Sequence, residues 1–176
     1  AADDIPHPPL EVVITVDEET GMLGAAALDA SVLKGRTVLN LDSEDEGVLT
    51  VSCAGGNVSV CTLPVTRAPF SGTALTVTVG GLLGGHSGAE IDKGRGNANL
   101  LMGRVLYAVG ARTPLRLVSV AGGLKDNAIP RESRAVIAVA DAAAAQAAIA
   151  DMDAALRHEY AAADPDVSVR VDAAQA

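Results

Sequence analysis

Three carboxylates follow apolar segments in the first third of the chain. Glu18 and Glu19 come just after LEVVITV, and Asp42 comes just after TVLNL. If both segments are strands of an open α/β sheet, their carboxyl ends lie at the edge where such sheets bind ligands. Adjacent side chains of an extended backbone point in opposite directions, so one glutamate can bind a metal while its neighbour acts as general base toward the metal's water. A solvated acidic loop in front of the next helix fits the same residues, and both interpretations stay open at this point.

Two further polar residues stand in turns of the second part of the chain. His86 lies in the glycine-rich stretch GGHSG, whose glycines let the backbone bend tightly and present the ring at a loop tip. Asn127 precedes Ala128-Ile129-Pro130. On residue type alone, His86 is an exposed loop histidine and Asn127 is a turn residue in front of a proline.

The elements that must position the three carboxylates read as a small α/β segment. Continuous or alternating apolar runs predict strands over residues 10–16, 37–41, 48–54 and 58–65, and a short helix over residues 22–30. The sequence pattern changes over residues 67–72, so we predict a domain boundary there. We predict one domain over residues 1–68 and a second over residues 69–176.

The second domain reads as a β-α-β-β-α-β unit, the ferredoxin-like arrangement. The predicted strands are residues 73–80, 113–121, 134–140 and 167–171, and the predicted helices are residues 97–111 and 141–161, with Asp141 as N-cap. The fold class is therefore α/β plus α+β. The side chains expected to form the core of this second domain are Leu100, Leu101, Val105, Leu106, Val118, Val136, Ile137, Val139, Ile149 and Leu156.

Composition excludes several classes of partner. Thirteen basic residues against twenty-two acidic ones give a net charge of −9, which repels a phosphate backbone, so we expect no nucleic-acid partner. Charged residues, glycine or proline interrupt every apolar run before the ~18 residues of a membrane span, so we expect no membrane partner. The two cysteines, Cys53 and Cys61, are interpreted as reduced core residues of a cytoplasmic protein, with a disulfide or a metal role as alternatives.

Eight short motifs, taken together and in this order, resemble the aminoacylhistidine dipeptidases, the Xaa-His dipeptidases of the peptidase D type. They are residues 7–11 (HPPLE), 15–22 (TVDEETGM), 33–36 (LKGR), 39–47 (LNLDSEDEG), 53–56 (CAGG), 84–88 (GGHSG), 93–99 (KGRGNAN) and 127–132 (NAIPRE). That family comprises di-zinc exopeptidases in which a catalytic α/β domain carries an inserted lid of the dimerisation type. The resemblance extends over nearly the whole chain.

The resemblance implies a role for each polar residue introduced above. Glu18 would be the general base toward the water of a two-zinc site, Glu19 a ligand of one Zn²⁺, and Asp42 a ligand of the other. His86 would be the lid histidine that stabilises the developing oxyanion, and Asn127 a lid residue that contacts the dipeptide substrate. The implied activity is hydrolysis of dipeptides, of the Xaa-His type, by a metal-activated water.

The chain also departs from the family pattern. The remaining zinc-binding histidines, the bridging aspartate and the lid arginine of the family have no counterpart in this sequence. His7 lies among prolines and His158 lies on the polar face of a predicted helix, so neither histidine has the neighbours of a zinc ligand. We therefore expect an internal segment of an enzyme that is inactive by itself, cytoplasmic, and homo-oligomeric through uncovered sheet edges. The alternatives are a non-catalytic ferredoxin-like binding or oligomerisation module and a degenerate homologue.

Overall fold

The computed structural model describes residues 4–41, 46–52, 55, 57 and 59–174. By its internal contacts the chain divides into two units, residues 1–62 and residues 63–176. The domain limits expected from the sequence, 1–68 and 69–176, remain a prediction.

The first unit contains only short helical turns among its described residues. They are a 3₁₀ turn at Glu18–Thr20, the helix α1 at Leu23–Ala26 and a second 3₁₀ turn at Ala30–Val32. The helix predicted over residues 22–30 is thus reduced to four residues. Beyond it, the Asp29 carboxylate accepts the Ser31 N–H at 3.0 Å and caps the second 3₁₀ turn.

The strands predicted in the first third of the chain are wrong in the described residues. Residues 10–16 and 37–41 form no strand, and neither do the described parts of 48–54 and 58–65. The side chains of Val12 and Ile14 are 83% and 88% exposed. A β-branched run becomes a strand only where a neighbouring strand pairs with its backbone and a second layer covers its side chains. Neither condition is met within the described part of this unit.

The second unit has the predicted β-α-β-β-α-β architecture with one addition. Its elements are β1 Thr73–Gly80, β2 Gly85–His86, α2 Ala98–Gly110, β3 Leu115–Gly122, β4 Ala128–Ile129, β5 Ser133–Val139, α3 Ala142–Glu159 and β6 Ser168–Ala173. The sheet has the order β3-β5-β1-β6, and every neighbouring pair is antiparallel. This is the ferredoxin-like order and confirms the predicted fold class of the second unit. The addition is a separate two-stranded ribbon of β2 and β4.

Both long helices start at side-chain caps. The Asn97 side chain accepts the N–H groups of Asn99 and Leu100 at 3.0 and 3.3 Å, and α2 begins there. The Asp141 carboxylate accepts the Ala144 N–H at 3.0 Å, so the predicted N-cap of α3 is confirmed. Caps of this kind satisfy N–H groups that would otherwise lack partners in the first turn.

The core of the second unit lies between the sheet and the two helices. Six of the ten predicted core side chains are fully buried: Leu101, Val105, Ile137, Val139, Ile149 and Leu156. Leu106 packs at the edge of this core and Val136 is half-buried. The prediction is wrong for Leu100 and Val118, which are 70% and 45% exposed. Leu100 lies on the outer side of α2, and Val118 lies at a register shift in the edge strand β3.

Candidate functional site

The short ribbon of β2 and β4 brings together two of the predicted site residues. In its register Gly85 is opposite Ile129 and His86 is opposite Ala128. Just beyond this pairing, the Ser87 N–H donates to the Asn127 carbonyl at 2.9 Å. His86 and Asn127 therefore lie next to each other at the same end of the ribbon, and both are exposed.

The imidazole of His86 is held by the turn that follows it. Its Nδ1 accepts the Gly88 N–H at 3.0 Å and the Ala89 N–H at 3.1 Å. A nitrogen that accepts two amide protons carries none of its own, so the proton of the neutral ring is on Nε2. The ring is thereby prepared to donate a hydrogen bond from Nε2 to an oxygen of a ligand.

The backbone of His86 is held from the opposite side by an ion pair. Its N–H donates to Oε2 of Glu90 at 2.9 Å, and Oε1 of Glu90 lies 3.2 Å from Nη1 of Arg95. The His86 N–H, and after it the positive charge of Arg95, lower the pKa of the Glu90 carboxyl. The same Arg95 nitrogen donates to the Gly84 carbonyl. Glu90 is therefore a carboxylate at neutral pH and a fixed acceptor for the ribbon.

A buried carboxylate anchors the approach to the ribbon. Asp164 is fully buried, and its two oxygens accept the Leu83 N–H at 2.7 Å and the Gly96 N–H at 2.6 Å. The start of α2 supports the other strand, because the Ala98 N–H donates to the Pro130 carbonyl at 3.0 Å. The segments that carry His86 and Asn127 are thus tied to the same helix terminus.

An open pocket of about 680 Å³ lies beside the ribbon, a volume in the usual range for small-ligand pockets. The residues that line it include Ser87, Arg95, Asn99, Lys125 and Ala128. Ser87 and Ala128 each follow one of the two site residues directly in the chain, so the pocket adjoins them. The lining is mixed, because apolar side chains such as Leu100 lie beside the cations Arg95 and Lys125 and the carboxylate of Asp126. The two cations can bind a carboxylate of a small ligand.

The carboxylates of the first unit form no comparable cluster in the described residues. Glu18 and Glu19 are exposed on the first 3₁₀ turn, where successive side chains diverge. Asp42 lies outside the described residues, as does Cys53. Across residues 4–41, 46–52, 55, 57 and 59–174, no three histidine, cysteine or acidic side chains are grouped as a metal site.

Of the two cysteines, Cys61 lies within the described residues. Cys61 has a free thiol and is exposed, whereas the sequence suggested a buried core position. The physical reason is the same as for the missing strands, since the apolar run around Cys61 has no layer to cover it in the described part of the first unit.

Three residues around the ribbon were not identified as functional from the sequence. Arg95 stands inside the motif KGRGNAN, which signals the family but not the contact that the arginine makes. Glu90 looks like one acidic loop residue among many. Asp164 precedes a proline near the end of α3 and gives no sequence signal at all, because complete burial of an aspartate is a tertiary property.

Comparison with known proteins places these features in a family. A sequence family described as the peptidase dimerisation domain of M20 type matches residues 77–164, half of the chain. The chain is 44% identical over 142 residues to the cytosol non-specific dipeptidase of Escherichia coli (strain K12). The aligned region covers 80% of this chain and 29% of that protein.

A solved structure gives the same relationship. The aminoacylhistidine dipeptidase from Vibrio alginolyticus matches with a TM-score of 0.66 and 33% identity, over 92% of this chain and 34% of that one. The chain therefore spans about a third of the length of the relatives it matches. In the part of the chain that the structure describes, no helix is both long and apolar enough to cross a membrane.

These matches confirm the resemblance that the eight motifs carry. The match to the dimerisation domain covers β1 from Val77 through α3, which is the unit that presents His86 and Asn127. From its sequence, its ferredoxin-like sheet and these matches, the chain belongs to the M20 peptidase family, through that family's dimerisation domain.

Proposed function

We propose that the chain is a segment of a zinc-dependent dipeptidase and supplies that enzyme with part of its metal site and with its substrate-contacting lid. The observation that carries the proposal is the ribbon in which His86 is paired opposite Ala128, beside Asn127. The 44% identity to a protein named as a dipeptidase supports the reaction class. The resemblance to aminoacylhistidine dipeptidases supports Xaa-His dipeptides as substrates.

The lid residues have chemistry that suits a peptide carbonyl. Nε2 of His86 carries the ring proton and can donate to the oxygen that becomes negative when water attacks the carbonyl carbon. Asn127 can donate and accept through its side-chain amide, as a residue that orients a dipeptide must. The substrate's own carboxylate would lie toward the cations of the pocket beside the ribbon, Arg95 and Lys125.

The first unit would contribute the proton acceptor and two metal ligands. Glu18 would take the proton of the attacking water, while Glu19 and Asp42 would bind zinc. Two carboxylates are too few for a tetrahedral zinc site, which needs four ligands. We therefore expect the 176-residue chain alone to bind no zinc pair and to hydrolyse no dipeptide. Nanomolar zinc affinity in calorimetry, or chelator-sensitive hydrolysis by the purified chain, would contradict this.

A second function is favoured by the family match itself. The matched family is described as a dimerisation domain, and we propose that this unit also joins copies of the chain. The observation in its favour is the exposed apolar surface on the edge strand β3, where Leu117 and Val120 are 47% and 51% exposed. The two functions are compatible, because the ribbon is a separate sheet from the one whose edge is open. We place the protein in the cytoplasm, as the name of the Escherichia coli relative suggests.

The test is hydrolysis of dipeptides by the protein encoded by the complete reading frame. His86→Ala should lower kcat/KM by about 10²- to 10³-fold, the usual effect of removing one oxyanion donor. Asn127→Ala should raise KM by up to about tenfold, the value of one lost hydrogen bond. His158→Ala is the matched control, because that histidine is exposed on α3 and should leave turnover unchanged.

Two outcomes would count against the proposal. If the complete protein hydrolysed no dipeptide with zinc present, the non-catalytic module would be the correct interpretation. If His86→Ala and His158→Ala had equal activity, the lid residues would have no part in the reaction.

A further inference from the structure

The backbone that carries His86 is held by a continuous set of polar contacts that begins at Arg95. One guanidinium nitrogen, Nη1, contacts both the Gly84 carbonyl and Oε1 of Glu90. Oε2 of Glu90 then accepts the His86 N–H at 2.9 Å. The Arg95 side chain is only 21% exposed, so water competes less strongly for its two bonds than for the more exposed bond between Glu90 and the His86 N–H.

The glycine before His86 makes this arrangement possible. A Cβ atom on Gly85 would lie 2.6 Å from Nη1 of Arg95 and 2.6 Å from Oε2 of Glu90. Its φ of +139° is also a conformation that other residues rarely adopt. The backbone and the ion pair can approach each other because that position has no side chain.

Asp164 holds Arg95 itself in place. One carboxylate oxygen binds the N–H of Gly96, the residue after Arg95, and the other binds the N–H of Leu83, the residue before Gly84. The backbone next to Arg95 and the backbone next to Gly84 are thus both bound to the buried carboxylate of Asp164. Asp164 touches neither His86 nor the pocket, so any influence on the ring passes through these two segments.

These contacts bear on which nitrogen of the His86 ring carries the proton. When β2 is held in this position, the Gly88 and Ala89 N–H groups point at Nδ1, and the proton is confined to Nε2. We propose that Arg95 and Asp164 are positioning residues that hold β2 so that His86 is an Nε2 donor. A catalytic effect of this positioning rests on the proposed function of His86. The positioning itself can be measured without substrate.

The experiment is nitrogen NMR of the chain with ¹⁵N-labelled histidine, at an alkaline pH where imidazole is neutral. The chain has three histidines, so the ring signals can be assigned by substituting each in turn. In the unmodified chain His86 should show one tautomer, with Nδ1 unprotonated, while the exposed His158 shows the ordinary mixture. Arg95→Ala and Asp164→Asn should move His86 toward that mixture and speed exchange of the His86 amide by about tenfold.

A matched control separates positioning from general loss of stability. Asp153 also uses a carboxylate to accept a backbone N–H, that of Val169 at 2.6 Å, but this bond ties α3 to β6. Asp153→Asn should therefore lower the stability of the unit and leave the His86 ring signals as they are. If Asp153→Asn shifted them as far as Asp164→Asn does, the effect would be general loosening and the proposal would be overturned.

Two further outcomes are decisive. Unchanged ring and amide signals in folded Arg95→Ala would also overturn the proposal. Where Arg95→Ala fails to fold, Arg95→Lys takes its place, since it keeps the charge but its ammonium group ends one bond short of the position of Nη1, and it should give an intermediate shift. If the complete protein proves to have no dipeptidase activity while these shifts occur, the positioning stands and only the proposed function falls.

Discussion

At the residue scale, the two glutamates of the first 3₁₀ turn have separable roles under the proposed function. In the complete enzyme, Glu18→Gln should lower kcat by at least about 10²-fold, because a general base is lost, while the zinc content stays unchanged. Glu19→Gln and Asp42→Asn should instead release metal. Turnover and zinc content by atomic absorption, measured on the same preparations, check this. A Glu18→Gln enzyme within about tenfold of the unmodified kcat would show that the role is wrongly assigned.

Gly85 offers a residue-scale test within this chain. Gly85→Ala puts a methyl group against Arg95 and Glu90 and forces a strained φ, so we expect a loss of about 1–3 kcal/mol in the free energy of unfolding. Gly103→Ala is the control, because a Cβ there meets nothing within 4 Å and the position is inside α2. That control should gain about 0.5–1 kcal/mol. Urea unfolding measures both, and equal stability of Gly85→Ala and the unmodified chain would refute the packing argument.

At the element scale, the unit formed by residues 63–176 rests on helices packed against one face of the sheet. Leu156 of α3 is fully buried, and truncation there removes contacts that the surrounding core cannot replace. Leu156→Ala should destabilise this unit by about 2–5 kcal/mol, measured by urea unfolding. Leu124→Ala is the control, since that side chain is fully exposed and its loss should change stability by less than about 0.5 kcal/mol.

The contact between the two long helices includes an ion pair that depends on pH. Arg104 of α2 binds both carboxylate oxygens of Glu159 of α3, at 2.9 and 2.7 Å. These hydrogen bonds lower the pKa of Glu159 below its ordinary 4.5. A carboxyl with a lowered pKa stabilises the fold above its unfolded-state pKa, and that contribution disappears as the pH falls through the folded-state value.

The expected result is a smaller acid destabilisation in variants that lack the pair. Between about pH 6 and pH 3, Glu159→Gln should lose less unfolding free energy than the unmodified chain. Arg104→Gln should show the same flattening, because without the guanidinium the pKa of Glu159 returns toward 4.5. Identical pH slopes for all three proteins would contradict the assignment. Both side chains are about half exposed, so the difference should shrink in high salt.

At the scale of the whole molecule, we expect the chain to associate with copies of itself. The sheet order leaves β3 and β6 at its edges in the described residues, and the described part of the first unit carries many exposed apolar side chains. The net charge of −9 opposes association, but salt screens it beyond about 8 Å. Burial of apolar surface and pairing of edge strands should therefore prevail.

Sedimentation velocity provides the measurement. The chain should form a dimer or larger species at micromolar concentration, and a clean monomer at tens of micromolar would contradict the prediction. Leu117→Lys places a charge on the β3 edge and should weaken association. Leu124→Lys adds the same charge at a fully exposed position outside the sheet and should have little effect.

The sequence by itself determined the family and the ferredoxin-like unit. Its strands and helices could be predicted because each element carries its own signal: alternation in β1 and β5, helical periodicity in α2, and the Asp141 cap of α3. All these elements also pack against one another, so local preference and tertiary burial agree. The apolar run at residues 10–16 has an equally strong local signal, yet no strand forms there, because no partner covers it within the described part of that unit.

Only the tertiary structure decided how His86 and Asn127 are presented. The sequence singled out His86 and Asn127 by motif, but they lie side by side only because His86 of β2 pairs with Ala128 of β4, a segment far away in the chain. The contacts of Arg95 and Asp164 with the backbone that leads into β2 have no periodicity and no spacing rule, since each depends on where a distant turn lies. The His86 ring accepts the Gly88 and Ala89 N–H groups, and the buried Asp164 carboxylate binds the N–H groups of Leu83 and Gly96, and these contacts exist only in the folded chain.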